Sequence, residues 1–230
     1  GGPVVDPSAS GAADLLASEF ERRGGLRTVQ RQLVWAGHEV PAGGWTGMRR
    51  LPTSVIRLRI EGDFDEGYEE SLRRARRKER RRLLRSGFDV QLEDPERFLE
   101  SFHEIYAERC RDWGSRPVPL HTLRELLACG EEWLAFVARS SDGQVLGAHL
   151  CVDLGDELFA WLGTTRRVDG GSLATLLVEA ELRWCHAHGR SLLNLGTSGE
   201  LGGVSEFKRG ISAEDDPRWI VRWQRGRGYR

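Results

Sequence analysis

The stretch from Trp161 to Lys208, WLGTTRRVDGGSLATLLVEAELRWCHAHGRSLLNLGTSGELGGVSEFK, limits what this chain can become more than any other. Leu173, Leu176, Leu177, Ala180 and Trp184 recur at spacings of three and four, which predicts a helix starting directly after Gly170-Gly171-Ser172. Gly189 ends it, and Leu192-Leu193-Asn194-Leu195 has the short apolar character of a buried strand. A helix between two strands is a crossover, and a crossover sets the second strand parallel to a neighbour. The glycine-flanked helix start is expected to leave backbone N–H groups pointing outward with the positive end of the helix dipole behind them. That arrangement holds phosphate or pyrophosphate without any particular side chain, although a Gly-Gly pair also serves as a simple cap.

Upstream lies an antiparallel meander. Trp133–Arg139 runs to a Ser-Asp-Gly turn, Val145–Leu154 returns, and Glu157–Gly163 is the third strand. Meander and crossover together predict a mixed α/β sheet, with the ligand cleft near the strand ends beside residues 170–172. Two helices precede it. Pro95–Trp113 is amphipathic, and Asp63–Ser86 is expected to be one long helix that opens acidic and closes basic. Its run RRARRKERRRLLR carries nine positive side chains and one negative. Two readings of that run stand side by side: a solvated helix face, or an electrostatic platform for the phosphates of coenzyme A, a lipid-linked substrate or tRNA. No aromatic residue interleaves it, so base stacking is not expected there.

Residues 1–62 read as a partial α/β unit: a helix supported by Ala12, Leu15, Leu16, Glu19 and Phe20 that ends at Gly24-Gly25, then strands at Thr28–Trp35 and Ser54–Ile60 joined by the loop VPAGGWTGMRRLP. These elements make a thin core for an independent domain. After Gly196-Thr197-Ser198, the glycines at 199, 202 and 203 predict a loop leading to Val204–Gly210, and Arg218–Gln224 alternates as a last strand.

Among 230 residues, 39% are hydrophobic and 30% charged, which is ordinary for a globular chain. A net charge of −1 argues against a globally basic nucleic-acid binder. No apolar run approaches a membrane span. Cys110, Cys129, Cys151 and Cys185 are scattered with no CxxC pair, so they read as buried thiols of a reducing compartment, with neither a disulfide frame nor a metal site, and the cytoplasm is the expected location. Only Lys78 and Lys208 are lysines, against a large excess of arginine. His103 and His121 each stand alone on a helix and are set aside. Glu206 and Asp153 are candidate bases by residue type only. No Ser-His-Asp order is present, so nucleophilic catalysis is not expected.

The order of elements resembles the GNAT-type acyltransferase fold, in particular its FemAB-like branch with the BioF2-like acetyltransferase domains. RRKERRRLLRSGFDV is similar to that branch's basic helix ahead of a glycine and a strand. GGSLATLLVEAELRWCHAHGRSLLNLG is similar to its glycine-opened helix and following strand, and GTSGELGGVSEFKRG to its Gly-x-Ser loop leading to a Phe-Lys pair. The resemblance covers residues 66–223. It implies a GNAT-like mixed sheet with flanking helices over 63–230, preceded in 1–62 by the trailing part of a second GNAT-like domain. It also implies an N-acyltransferase that moves an acyl group from acyl-CoA, or in the alternative from an aminoacyl-tRNA, to an amine of a small molecule, peptide or glycan.

The resemblance carries a transfer role onto Lys208, with Phe207 beside it shaping the pocket. An ammonium there suits a developing oxyanion or a terminal phosphate or carboxylate. Gly170, Gly171 and Ser172, assisted by Arg166 or Arg167, would hold donor phosphate. Ser172 stands where the coenzyme A loop of the wider fold has a second glycine or alanine. Thr197 and Ser198, with Trp161, are expected at the acceptor. A different class of reading keeps the fold without the chemistry: a GNAT-like scaffold that binds an anionic glycan or nucleic acid through residues 73–85.

Overall fold

The computed structural model of the chain describes residues 30–35, 48–58, 62–128, 130, 132–169, 171–197, 202–211 and 214–224. Two compact units make up the chain: one of Gly1–Val55, Thr197–Gly199 and Asp215–Arg230, the other of Ile56–Gly196 and Glu200–Glu214. In the first, β1 (Gln30–Trp35) pairs antiparallel with the C-terminal strand β8 (Glu214–Gln224), in a register running from Gln30 opposite Gln224 to Trp35 opposite Trp219. Strand β2 (Met48–Leu58) starts inside the segment read as a loop, so residues 48–52 extend the strand expected from Ser54. The helix expected from Ala12 to Gly24-Gly25 lies outside the described residues.

The second unit is built on a mixed five-stranded sheet in the order β7-β6-β5-β4-β3. Its strands are β3 (Asp89–Glu93), β4 (Trp133–Arg139), β5 (Val145–Asp153), β6 (Glu157–Thr165) and β7 (Leu192–Thr197). The pairs from β3 to β6 are antiparallel, and β7 joins β6 in parallel. That is the meander and crossover expected from the alternation and from the helix after Ser172. Gly143, at φ +84°, makes the turn between β4 and β5, a left-handed position that glycine takes without penalty.

Helices cover both faces of this sheet. On one side lie α1 (Phe64–Ser71), α2 (Arg74–Arg85) and α5 (Ala174–Ala187), whose Tyr68, Leu83, Leu177, Val178 and Leu182, with Leu72 from the α1–α2 junction, form one core with Phe136, Cys151 and Leu193 of the sheet. On the other lie α3 (Pro95–Asp112) and α4 (Leu120–Leu127), whose Phe98, Phe102, Tyr106 and Leu123 pack on Ala135, Val137, Ala148 and Leu150. Residues 148 and 150 of β5 face α3 while Cys151 faces α5, the alternation a two-sided sheet requires. Each fully buried Leu, Phe or Val contributes about 1.5–3 kcal/mol, so these two clusters hold the unit together. Among the described residues, no helix is long and apolar enough to cross a membrane.

The long helix expected over Asp63–Ser86 is two helices. Leu72 (ψ +131°) and Arg73 (ψ +149°) are extended between α1 and α2. Ser71 caps the break by donating its hydroxyl to the Tyr68 carbonyl at 2.7 Å, and the Arg73 N–H donates to the Gly210 carbonyl at 3.2 Å. Burying Leu72 and tying Arg73 to a distant segment outweighs the continuous helical periodicity of the sequence. The segment read as a glycine loop is likewise a helix, α6 (Gly202–Gly210), and Lys208 lies in its last turn.

Candidate active site at the parted strands

Strands β6 and β7 pair over Glu157–Leu192, Leu158–Leu193 and Phe159–Asn194 and then part. Asn194 organises the departure. Its amide donates to the Glu157 carboxylate at 2.8 Å, and its carbonyl oxygen accepts from the Gly196 N–H at 2.9 Å, a group that would otherwise continue the ladder to β6. Gly196, at φ +64°, takes the left-handed turn that steers β7 away.

The carbonyls of Leu195 and Gly196 are taken up by the ammonium of Lys208, the latter at 2.8 Å. Lys208 is only 6% exposed, and burial pushes its pKa down to about 8. An ammonium has three donors, and two of them serve the β7 carbonyls. The third has no acceptor among the described residues. Lys208 is therefore no surface lysine. It is held at the parting point by a helix whose last carbonyl, that of Gly210, accepts from the Arg73 N–H and which is followed by the buried Ile211.

The helix start at residues 171–173 is not open as the sequence suggested. The Ser172 N–H and the Thr175 hydroxyl both donate to the carboxylate of Glu79, at 2.8 and 3.0 Å. Glu79 stands in the basic helix α2 and reaches across to α5, so a side chain of the chain itself supplies the anion expected of a ligand. Gly171, at φ +140°, permits this approach, because a Cβ there would collide with the Glu79 side chain. Arg76 donates to Oε2 of the same carboxylate, the oxygen that also accepts from Thr175, at 2.6 Å, and its guanidinium lies over the Phe207 ring, 4.9 Å from the centroid. Phe207, Arg76, Glu79 and Ser172 thus form one continuous chain from α6 to the start of α5.

The arginine run resolves into both of its readings. Its inward side is paired, Arg80 making two hydrogen bonds of 2.6 Å to Glu179, and the exposed Arg81 bonds Glu69 at 2.7 Å. Its outward side lines a groove of about 1120 Å³ bordered by Arg73, by Arg76, Lys78, Arg81, Arg82 and Arg85 on α2, and by Glu206 and Gly210 on α6. Leu84 is exposed beside it.

The other expected residues are dispersed. Trp161 packs edge-on against Trp133, with ring centroids 5.4 Å apart, in the cluster beneath α3 and α4, whereas Phe207 packs in the cluster on the α5 face. The sheet lies between them, so the structure does not bring these two together. Arg166 donates its backbone N–H to the Leu146 carbonyl at 2.7 Å, and its buried Nε has no hydrogen-bond partner among the described residues. Arg167 is exposed. Thr197 ends β7, while Gly170 and Ser198 lie outside the described residues. Asp153, one of the two candidate bases, is paired with Arg190 at 2.7 and 2.9 Å, which holds its carboxyl below the usual range. Glu206 is exposed at the groove.

Three residues escaped the sequence reading: Glu79, Glu181 and His149. Glu79 is a lone acid inside a basic run, which is itself a signal. Glu181 is wholly buried and sits 2.6 Å from Nδ1 of His149, thirty-two positions away in the chain. The available hint was polarity at positions that the periodicity assigns to the core.

A family model described as an acetyltransferase (GNAT) domain matches residues 69–209, more than half of the chain. Among solved structures, that of FemX is similar with a TM-score of 0.66 at 13% identity, covering 96% of this chain and 78% of that one. That of L-PGS from Bacillus licheniformis has a TM-score of 0.60 at 15% identity, covering 94% and 74%. A tandem GNAT protein from the clavulanic acid biosynthesis pathway has a TM-score of 0.55 at 13% identity, covering 98% and 74%. No curated protein matches the sequence.

Proposed function

Because the chain belongs to the GNAT acetyltransferase family, we propose that it is an N-acyltransferase whose transfer point lies where β6 and β7 part. The observation that carries this reading is the buried Lys208 ammonium, fixed by two carbonyls and with its third N–H unclaimed among the described residues. Acyl transfer to an amine passes through a tetrahedral oxyanion, and a preorganised cation in a water-poor site stabilises that charge without reorganising. Holding donor and amine side by side supplies the remainder of the acceleration. Phe207 positions Arg76 in this reading, and through it Glu79, at the boundary between the donor groove and the start of α5.

For the donor, Glu79 shifts the balance. A pyrophosphate at Ser172 has to displace a carboxylate that already satisfies the Ser172 N–H and the Thr175 hydroxyl. A polyanion lying along the basic groove of α2 needs no such displacement. This favours an aminoacyl-tRNA over acyl-CoA. The acyl-CoA reading retains one observation, that Ser172, Thr175 and Arg76 converge on an anion, with Gly171, Gly170, Arg166 and Arg167 nearby in the chain. The acceptor is an amine of a peptide, glycan or small molecule, and the reaction is assigned to the cytoplasm.

Calorimetric titration with acetyl-CoA and with a mixed aminoacyl-tRNA pool, at low and moderate salt, separates the donors. Salt-sensitive binding of aminoacyl-tRNA supports the favoured donor. Salt-tolerant micromolar binding of acetyl-CoA, displaced by free coenzyme A, returns the choice to acyl-CoA. The transferase reading itself predicts that Lys208→Met lowers turnover by about 100-fold or more, and an unimpaired variant sinks it.

A further inference from the structure

Acyl transfer to an amine needs a group that removes protons from the incoming nitrogen, and neither Glu206 nor Asp153 is arranged for it. The buried cluster between β5 and α5 is. His149 on β5 faces α5, the same side of the sheet as Phe207 and its helix. Its Nδ1 meets Oε1 of Glu181 at 2.6 Å, and the Cys151 thiol donates to the same oxygen at 3.5 Å. Burial, together with the charge of Glu181, pushes the Cys151 thiol well up, so it remains a donor. Glu181 is 0% exposed, and its Oε2 has no hydrogen-bond partner among the described residues.

We propose that His149, oriented by the buried carboxylate of Glu181, is the base that deprotonates the acceptor amine. This rests on the transferase reading above. An ionised carboxylate only accepts, so it fixes the proton on Nδ1 and leaves the lone pair on Nε2. The Nε2 edge lies over Gly163 of β6, directly opposite His149 in the register. A Cβ at Gly163 would collide with the imidazole and come within 2.6 Å of Nε2, so the ring occupies the space that a side chain would fill. Gly163 itself is exposed, and the His149 side chain keeps 14% of its surface. Gly163 also lies beyond Phe159, the last β6 residue paired with β7. The imidazole therefore reaches solvent along the segment of β6 that the departing strand has left.

The chemistry balances within the cluster and the two substrates. Nε2 takes one proton from the acceptor ammonium, and the imidazolium is stabilised by Glu181. The freed lone pair forms the C–N bond as the ester C–O bond, or the thioester C–S bond, breaks. The second N–H proton passes to the leaving oxygen or sulfur, and His149 returns its own proton to solvent.

Two measurements test this. Long-range 1H–15N correlation spectra of histidine-labelled protein are expected to show His149 with Nδ1 protonated and Nε2 bare when the ring is neutral, and Glu181→Gln to abolish that preference. A wild-type ring protonated on Nε2 overturns the proposal. Transfer is then assayed with acetyl-CoA and with aminoacyl-tRNA as donors and with glucosamine and a lysine-containing peptide as acceptors. His149→Ala is expected to lower turnover by about 100-fold or more, with little change in the donor KM and partial recovery on adding imidazole. His149→Gln, which keeps a polar side chain of similar size, is expected to lose the same turnover while melting close to the wild-type temperature. Full activity in either variant, beside a wild type that depends on Lys208, removes His149 and leaves the transferase reading standing. A wild type that transfers nothing removes both.

Discussion

Lys208 shows how a single residue serves structure and chemistry at once. Two of its protons satisfy the carbonyls of Leu195 and Gly196 at the end of β7, and the price is burial of a charge. The unfolded lysine holds its proton up to the ordinary lysine value of 10.5, whereas the folded one releases it near 8. Between those limits the unfolded chain binds more protons, so this group's penalty is fully present below pH 8 and is relieved as the pH rises toward 10.5. Unfolding free energies of wild type and Lys208→Met, compared across that window, are expected to diverge in favour of the wild type by at most about 3 kcal/mol. The same titration removes the cation proposed for the oxyanion, so turnover is expected to fall above pH 8 while the fold gains stability. Opposite trends in the two curves distinguish this role from a merely structural one.

Among the elements, the junction of α2, α5 and α6 concentrates the consequences. Glu79 caps the start of α5 from another helix, so its removal takes two hydrogen bonds from a charged acceptor and leaves Arg76 without its partner. Glu79→Ala is expected to cost about 2–4 kcal/mol in chemical denaturation, since hydrogen bonds to charged groups contribute about 1.5–3 kcal/mol each and partial solvation returns some of it. The same variant opens the Ser172 N–H. Acetyl-CoA or inorganic pyrophosphate is then expected to bind more tightly than to the wild type, by calorimetry. Unchanged affinity would mean that the helix start is closed to anions for a reason other than Glu79. Gly171→Ala tests the same contact from the opposite side: the new Cβ meets Glu79 and the backbone sits at φ +140°, so it is expected to be less stable than the wild type.

For the whole molecule, a net charge of −1 hides a sharp division of charge. Arg80, Arg139, Arg183 and Arg190 are spent on carboxylates of the fold, whereas the groove along α2 gathers Arg73, Lys78 and Arg85. A polyanion bound there is expected to show a steep loss of affinity with salt, because each neutralised phosphate releases condensed counterions. The double variant Lys78→Glu, Arg85→Glu is expected to weaken aminoacyl-tRNA binding by about 10-fold or more at low salt and to flatten the salt dependence. Unaltered binding would move the polyanion off this helix.

Much of the second unit follows from the sequence by itself. The alternation in 133–163, the three-and-four spacing after Ser172 and the stop at Gly189 are local patterns, and local patterns determine the meander, the crossover helix and the parallel strand. Lys208 stood out because lysine is rare in this chain. What the local patterns misjudged was contributed by partners far along the sequence. The continuous periodicity of 63–86 breaks at Leu72 because Arg73 is tied to Gly210, and the glycines before Val204 did not prevent a helix that buries Lys208 and Ile211. The anion at the start of α5 comes from Glu79, ninety-three positions before Ser172, and His149 meets Glu181 only because β5 and α5 pack face to face. Burial and hydrogen-bond partners at such separations are properties of the packed sheet, and no spacing along the chain encodes them, so the tertiary structure alone assigns the filled helix start and the buried acid behind an imidazole.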